Sequence, residues 1–377
     1  MNNASVDEQM LLKALACAEG YVGRTAPNPP VGAVCARGET LLGEGAHQGA
    51  GTPHAEVNCL AQCPEDLSEA TLYVTLEPCS TSGRTPPCCE LLLKRRPRRV
   101  VIGCLDPNPR HAGRAISLLE AAGIRVEVAK GDIAERCKRL IAPFAKAITT
   151  GLPYVRVKLA MTLDGYIADH TYRSQWISGA AARDWVQHLR LRADAVMVGA
   201  GTVRHDHPSL QPHLEEAPQK VRVLIDRTAR IAPEDRTAHT LVATEDLGYD
   251  GEHLETPLRA LCKRGVNDVL CEGGGRLAAA LLEQHLVDEL LLVYAPKLLG
   301  DAAAVRGLPV APRRLPEAIT FIPFERLALG EDTLLCLKPA TAAETPWNNH
   351  EEPNEKDPDS PLPAPDEPRF CHQCATL

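Results

Sequence analysis

The sequence predicts two consecutive α/β domains followed by a disordered acidic tail, and three observations carry that prediction. The chain has 377 residues, more than the roughly 100–200 of a single domain. Helical stripes alternate with short strand-like runs, and the alternation is broken by the turn-rich segment Thr149-Thr150-Gly151-Leu152-Pro153. From Ala340 onward eight acids face two bases, and seven prolines fall in 38 residues. Such a composition cannot bury enough apolar surface to offset ordering entropy. The expected division is therefore 1–149, 150–339 and a tail over 340–377.

In the first part, Met10, Leu11, Ala14, Leu15 and Ala18 form a helical stripe over Asp7 to Glu19. The apolar run Val31 to Cys35 follows, and strand-like runs recur at Leu72 to Thr75, Val100 to Gly103 and Ile124 to Val128. A helix is expected from about Ala115 to Ala122, and a closing helix over Arg136 to Ala147. The second part opens on a strand, Tyr154 to Ala160, and a helix over Ala180 to Leu191. Strands are expected at Ala195–Val198, Val221–Ile225, Thr240–Ala243, Asp268–Cys271 and Glu289–Tyr294, with a helix over Arg276–Leu282. Strands separated by helices imply a mostly parallel sheet.

Hydrophobic residues make up 44% and charged residues 24%, which excludes wholesale disorder and a disulfide-dense miniprotein. The net charge is −8, but the tail carries −6 of it. No basic stripe is visible, so nucleic acid is not an expected partner. No run approaches the ~18 apolar residues of a spanning helix, and Met1 to Glu8 has neither a basic nor an apolar stretch. A cytoplasmic protein without a membrane partner is the expectation. In such a chain the fourteen cysteines are thiols or metal ligands. Cys17, Cys35, Cys104, Cys137, Cys262, Cys271 and Cys336 fall in apolar or periodic stretches and read as core fillers.

Cys79, Cys88 and Cys89 stand apart. His54-Ala55-Glu56 precedes Pro78-Cys79 by a helical pattern and a strand, and Cys88 lies beyond. An imidazole and two thiolates fill three of the four tetrahedral zinc positions and leave one for water, which is a catalytic count. A closed site would need a fourth ligand; Cys89 is available, but adjacent residues seldom both reach one metal. A structural zinc, or thiols unrelated to a metal, are the competing readings. If zinc acidifies water there, Glu56, two residues after the histidine, has the proton work: taking the water proton, protonating a ring nitrogen and delivering a proton to departing ammonia. A histidine-x-glutamate segment followed by proline-cysteine resembles the signature of zinc deaminases.

The wider motifs are more specific. Asn28-Pro29-Pro30-Val31-Gly32, Thr75 to Ser80, Gly83 to Cys89 and Asp106-Pro107-Asn108-Pro109 closely resemble the riboflavin-biosynthesis deaminase/reductase family. The resemblance continues through Lys158 to Gly165, Ser174 to Ile177, Gly199 to Val203, Glu272-Gly273-Gly274 and Ala295 to Gly300, covering roughly residues 5–339. It implies a cytidine-deaminase-like fold followed by a dihydrofolate-reductase-like one. It also implies zinc on His54, Cys79 and Cys88, Glu56 as proton shuttle, and substrate contacts from Asn28, His47, Arg84 and Asn108. The implied substrate is a small phosphorylated pyrimidine, 2,5-diamino-6-ribosylamino-4(3H)-pyrimidinone 5′-phosphate, and the implied assembly a homo-oligomer.

For the second half the resemblance implies NADPH-dependent reduction of the ribosyl group to ribityl. Lys158, Asp206 and Glu272 would surround the reacting sugar. Ala160, Trp176, Thr202 and Asp206 would contact the cofactor, and Ser174, Arg190, Leu210 and Glu272 the substrate. Glycines Gly273, Gly274 and Gly275 join a strand to a helix, where backbone amides can approach a pyrophosphate; a plain strand-to-helix turn has the same pattern. Two positions depart from the family. Thr81 stands where a histidine is frequent, and His213 where an arginine is usual, with His205 and His207 nearby. The alternatives are an active deaminase with a weakened reductase, and a binding scaffold without activity. Cys371-His372-Gln373-Cys374 in the tail reads as a pair of free thiols.

Overall fold

The computed structural model describes residues 5–81, 86–109, 111–228 and 231–340. Except for Ala340, the predicted tail with its cysteines lies outside the described residues. The rest holds two large sheets within one compact unit ending at Pro339.

The first sheet contains β1 (Gly32–Arg37), β2 (Thr40–Ala46), β3 (Thr71–Val74), β4 (Arg99–Ile102) and β5 (Arg125–Val128), ordered β2-β1-β3-β4-β5. β1 runs antiparallel to β2 and β3, whereas β3, β4 and β5 are parallel. Alternate residues enter opposite layers, as the period of two demands. Val34, Ala36, Tyr73 and Val101 pack under α1 (Val6–Glu19) and α5 (Asp132–Leu140). Ala33, Cys35, Leu72, Val74, Val100 and Ile102 pack under α2 (Ala55–Leu60), α3 (Cys88–Arg95) and α4 (Arg114–Ala121). Both faces are covered, so these strands read as apolar runs rather than alternations.

The closing helix expected over Arg136 to Ala147 is two helices, α5 and α6 (Ala142–Thr150). Ile141 leaves helical geometry at φ −98°, ψ 7°, and Pro143 sits in the first turn of α6, where its missing N–H costs nothing. α6 also runs through Thr149 and Thr150, two residues expected to be in the break, and ends where Gly151 turns left-handed at φ +69°.

The second sheet is built from β6 (Tyr154–Thr162), β8 (Ala195–Gly199), β9 (Val221–Ile225), β10 (Thr240–Val242), β11 (Asp268–Cys271), β12 (Glu289–Ala295), β14 (Phe321–Leu329) and β15 (Asp332–Pro339). Their order is β10-β9-β8-β11-β6-β12-β15-β14, parallel from β10 to β12 and antiparallel beyond, as a mostly parallel sheet requires. A small ribbon pairs β7 (Tyr166–Ala168) with β13 (Val305–Arg306). The helices are α7 (Ala180–Arg192), α8 (Ala200–Asp206), α9 (Ala243–Asp246), α10 (Glu255–Lys263) and α11 (Gly275–Glu283). α10 and α11 cover the face bearing Val155, Val157 and Leu159; α7 covers the opposite face at Leu291 and Val293. Of the cysteines expected in cores, Cys35, Cys104, Cys137, Cys271 and Cys336 are buried, whereas Cys17 and Cys262 are only half-buried. Among the described residues no helix is long and apolar enough to cross a membrane.

Candidate active sites

Three short pieces of chain converge beyond the end of β3. His54 is the residue preceding α2, Cys79 lies in the loop after β3, and Cys88 is the first residue of α3. Their ligand atoms all lie within 4.8 Å of one another, and among the described residues they form the one such group. His54 Nδ1 is 3.2 Å from Cys88 Sγ and 3.4 Å from Cys79 Sγ. A zinc ion bound at ~2.3 Å to sulfur and ~2.0 Å to nitrogen would set these separations near ~3.5 Å. The donor set and its spacing therefore fit that metal.

The two thiols are driven in opposite directions. The Cys88 thiol is pushed far above its ordinary range by hydrogen bonding to Cys79, by burial and by the nearby Glu56 charge. Cys79 is pulled down to about 4, chiefly by that same Cys88 bond and by His54. The Cys88 amide also donates to Cys79 Sγ at 3.1 Å, as expected for a thiolate at a helix N-terminus. Cys89 turns away, its thiol toward the Pro78 carbonyl, which agrees with a three-ligand site.

Glu56 is buried on the first turn of α2, and burial, then the Cys79 charge, raises its carboxyl above the usual range. A carboxyl poised this way takes up a proton readily. His47 stacks edge-on against His54 with ring centroids 5.3 Å apart. Its Nδ1 lies 3.2 Å from the Pro53 carbonyl and its Nε2 3.0 Å from Asn28 Nδ2. A neutral ring donating from Nδ1 and accepting at Nε2 satisfies both contacts, and burial lowers the pKa in the same direction. Asn108 lies in the loop after β4, where its amide donates to Asp106 Oδ1 at 2.8 Å. Arg84 lies outside the described residues. Thr81, at the departure from the family pattern, is exposed.

One residue here escaped functional reading of the sequence. Glu77 is 5% exposed, and its carboxylate accepts from the amides of Asp106 (3.2 Å), Gly113 (2.9 Å) and Ala115 (3.0 Å). It thereby ties the Cys79 loop to the loop carrying Asn108. A charged residue between Leu76 and Pro78 in an apolar stretch was the available signal.

The second constellation lies toward the carboxyl ends of the parallel strands of the other sheet, where ligands of open α/β sheets bind. Lys158 on β6 is lowered in pKa by burial, with Glu272 opposing that shift and Arg190 adding to it. Arg190 on α7 grips Glu272 with two hydrogen bonds of 2.6 and 3.0 Å. Glu272 directly follows β11. These three side chains form one electrostatic group. Asp206, the last residue of α8, is joined to Ser174 by a long 3.5 Å contact.

Two glycine-bearing strand-to-helix junctions, β8 to α8 and β11 to α11, lie side by side. The Gly274 amide donates to Thr202 Oγ1 at 3.1 Å. A Cβ at Gly273 would lie 3.1 Å from the Gly199 nitrogen, while one at Gly201 would meet nothing within 4 Å. Backbone packing and an open cradle thus coexist, and they fit a dinucleotide without requiring one.

Leu210, at φ +58°, is fully buried, so only its backbone can face a ligand. Ala160 is half-buried, and Trp176 is 63% exposed beneath the Arg183 guanidinium, 4.5 Å from its ring. Lys297, missed in the sequence, holds the Trp176 and Ile177 carbonyls at 2.8 and 2.7 Å. His213 contacts Ser209 at 2.9 Å; His207 pairs with Asp235, and His205 stacks on Tyr172.

Comparison with known proteins locates two family regions. Residues 4–104 match the cytidine and deoxycytidylate deaminase zinc-binding region, and residues 153–315 match the RibD C-terminal domain. The chain is 37% identical over 368 residues to the riboflavin biosynthesis protein RibD of Escherichia coli, covering 88% of this chain and 99% of that one. It is also 37% identical to the Synechocystis protein of the same name, with 87% and 95% covered. Among solved structures, Acinetobacter baumannii RibD superposes with a TM-score of 0.82 at 37% identity, and a Thermotoga maritima diaminohydroxyphosphoribosylaminopyrimidine deaminase/5-amino-6-(5-phosphoribosylamino)uracil reductase with 0.80 at 32%. Each covers 89% of this chain and 99% of its own.

Proposed function

The chain belongs to the RibD family of bifunctional riboflavin-biosynthesis deaminase/reductases, and from that premise we infer that it deaminates 2,5-diamino-6-ribosylamino-4(3H)-pyrimidinone 5′-phosphate and then reduces the product's ribosyl group to give 5-amino-6-(5-phospho-D-ribitylamino)uracil. The observation that carries this is the meeting of His54, Cys79 and Cys88 around a buried Glu56 in a chain colinear with its relatives. We assign deamination to 1–149 and reduction to 150–339.

When bound, zinc on His54, Cys79 and Cys88 supplies acidified water, and NADPH at the paired glycine junctions supplies hydride. The chain's own residues do the rest. Glu56 takes a proton, passes it to the pyrimidine ring and delivers one to leaving ammonia. His47, bonded to the Pro53 carbonyl at Nδ1 and to Asn28 at Nε2, holds the Asn28 amide, whose Oδ1 and remaining N–H offer an acceptor and a donor to the pyrimidine. In the reductase half, Lys158 can hold or release a proton at the opening sugar, and Arg190 fixes the Glu272 carboxylate beside it. Ser174, Asp206, Leu210, Ala160, Trp176 and Thr202 keep their proposed contact roles.

An active deaminase with a weakened reductase is the second reading. His213 favours it, because a histidine paired with Ser209 is a poorer phosphate clamp than an arginine. Ammonia release and NADPH oxidation, assayed separately on purified protein with its zinc content measured, decide among these readings. Glu56→Ala should keep zinc and lose deamination by at least ~100-fold; loss of the metal instead would show that Glu56 is misassigned. Folded wild-type protein lacking both zinc and deamination would overturn the whole assignment.

A further inference from the structure

The turn between α1 and β1 carries Asn28, yet much of what holds that turn belongs to the other half of the chain. Lys220, immediately before β9, reaches across to donate from Nζ to the Gly23 carbonyl at 2.8 Å. Asn267, immediately before β11, donates from Nδ2 to the Pro27 carbonyl at 2.8 Å. Gly23, at φ +77°, lies so close to the last turn of α7 that a Cβ would sit 1.9 Å from the Leu191 carbonyl oxygen. The Pro27 ring rests against Gly265. Inside the turn, the Asn28 amide donates to the Thr25 carbonyl at 2.9 Å, and the Asn28 side chain meets His47 at 3.0 Å.

Burying a lysine is costly unless its donors are used. Lys220 is 2% exposed and among the largest fully buried side chains, and its ammonium is spent on a carbonyl of the other domain. Asp194, whose Oδ2 accepts from the Asn267 and Asp268 amides, supplies compensating charge. Both donors stand at the amino ends of parallel strands, whereas the reductase constellation occupies the carboxyl ends. The second sheet thus has two working ends.

We propose that Lys220 and Asn267 of the reductase half are positioning residues of the deaminase site: by holding the Gly23 and Pro27 carbonyls they fix Asn28 against His47 in the geometry that receives the pyrimidine. This rests on the deaminase reading. A neutral hydrogen bond such as that of Asn267 is worth about fivefold in an equilibrium, and one from an ammonium about tenfold or more. Asn267→Ala should raise the deamination KM about fivefold and Lys220→Met about tenfold, with kcat little changed. Reduction of separately supplied deaminated substrate should be unaltered, since the Lys220 backbone pairing with Gln211 remains. Zinc content should not change, hydrogen exchange at the Asn28 amide should quicken, and Lys220→Arg should restore the KM.

An unchanged deamination KM in either folded variant overturns the proposal, as does a parallel fall in both activities, which would mark the contacts as general stabilisation. Asn267→Ala removes a side chain whose only hydrogen bond among the described residues is to Pro27, so it provides the measurement if Lys220→Met does not fold. A wild-type chain without deamination would instead fail the functional reading itself.

Discussion

Glu77 is a charged group whose purpose lies in the backbone. One buried carboxylate satisfies three amides, among them those of Gly113, which precedes α4, and of Ala115, within its first turn. Bonds from amides to a charged acceptor contribute about 1.5–3 kcal/mol each, without simple additivity. Glu77→Ala is therefore expected to cost about 3 kcal/mol or more in a denaturant titration, while Glu77→Gln, which keeps one acceptor oxygen, costs less. The Asn108 loop should loosen in both, so the deamination KM should rise while reduction is spared. The metal ligands were legible from residue types and spacing because thiolate and imidazole chemistry is local. Glu77 was not, because its partners lie 29 to 38 residues downstream and are backbone amides common to every sequence.

At the scale of elements, the apolar runs that became β3, β4, β8, β9, β11 and β12 were readable because covered strands need apolar residues on both faces. β2, β14 and β15 escaped notice. β2 and β14 expose many of their residues, and their pairing is fixed by neighbours rather than by a run of their own. The α5–α6 break was missed because both helices share one apolar phase, and Pro143 only shows its meaning once Ile141 leaves the helix. The glycine junction at α11 is sharper than its motif suggested. A Cβ at Gly275 would sit 2.5 Å from both the Arg306 and Gly307 carbonyl oxygens. Gly275→Ala should push α11 off the β13 segment and cost about 1–3 kcal/mol, read by thermal unfolding, with reduction lost more than deamination.

Over the whole molecule, charge is managed where the amino ends of the second sheet's parallel strands meet the turn between α1 and β1. Burial, then the neighbouring Asp268 charge, pushes the Asp194 carboxyl up to about 6, against the pull of two amides and of Lys220. Its folded pKa lies above the unfolded value, so folding favours the protonated form. Stability from this group is present at low pH and is lost as pH rises through about 6. Between pH 5 and pH 7 the loss is about 1 kcal/mol. Lys220, lowered by burial to about 8, stays protonated across that window. Urea midpoints of wild type and Asp194→Asn at the two pH values should show a smaller fall in the variant, whose amide oxygen can keep both backbone bonds; equal falls would refute the assignment.

The sequence alone determined that there are two α/β domains, which three residues form the zinc-type ligand cluster, and that −6 of the net charge of −8 sits in the last segment. Those properties depend on periodicity, composition and short-range spacing, which one chain displays directly. Only the tertiary structure decided that Glu77 braces the Asn108 loop, that Arg190 and Glu272 form a pair, and that Lys220 and Asn267 reach into the other half. Each of these joins groups far apart in the chain, and at least one partner is usually a plain backbone carbonyl or amide. Folding brings such groups within hydrogen-bond distance, and no pattern of residue types announces them beforehand.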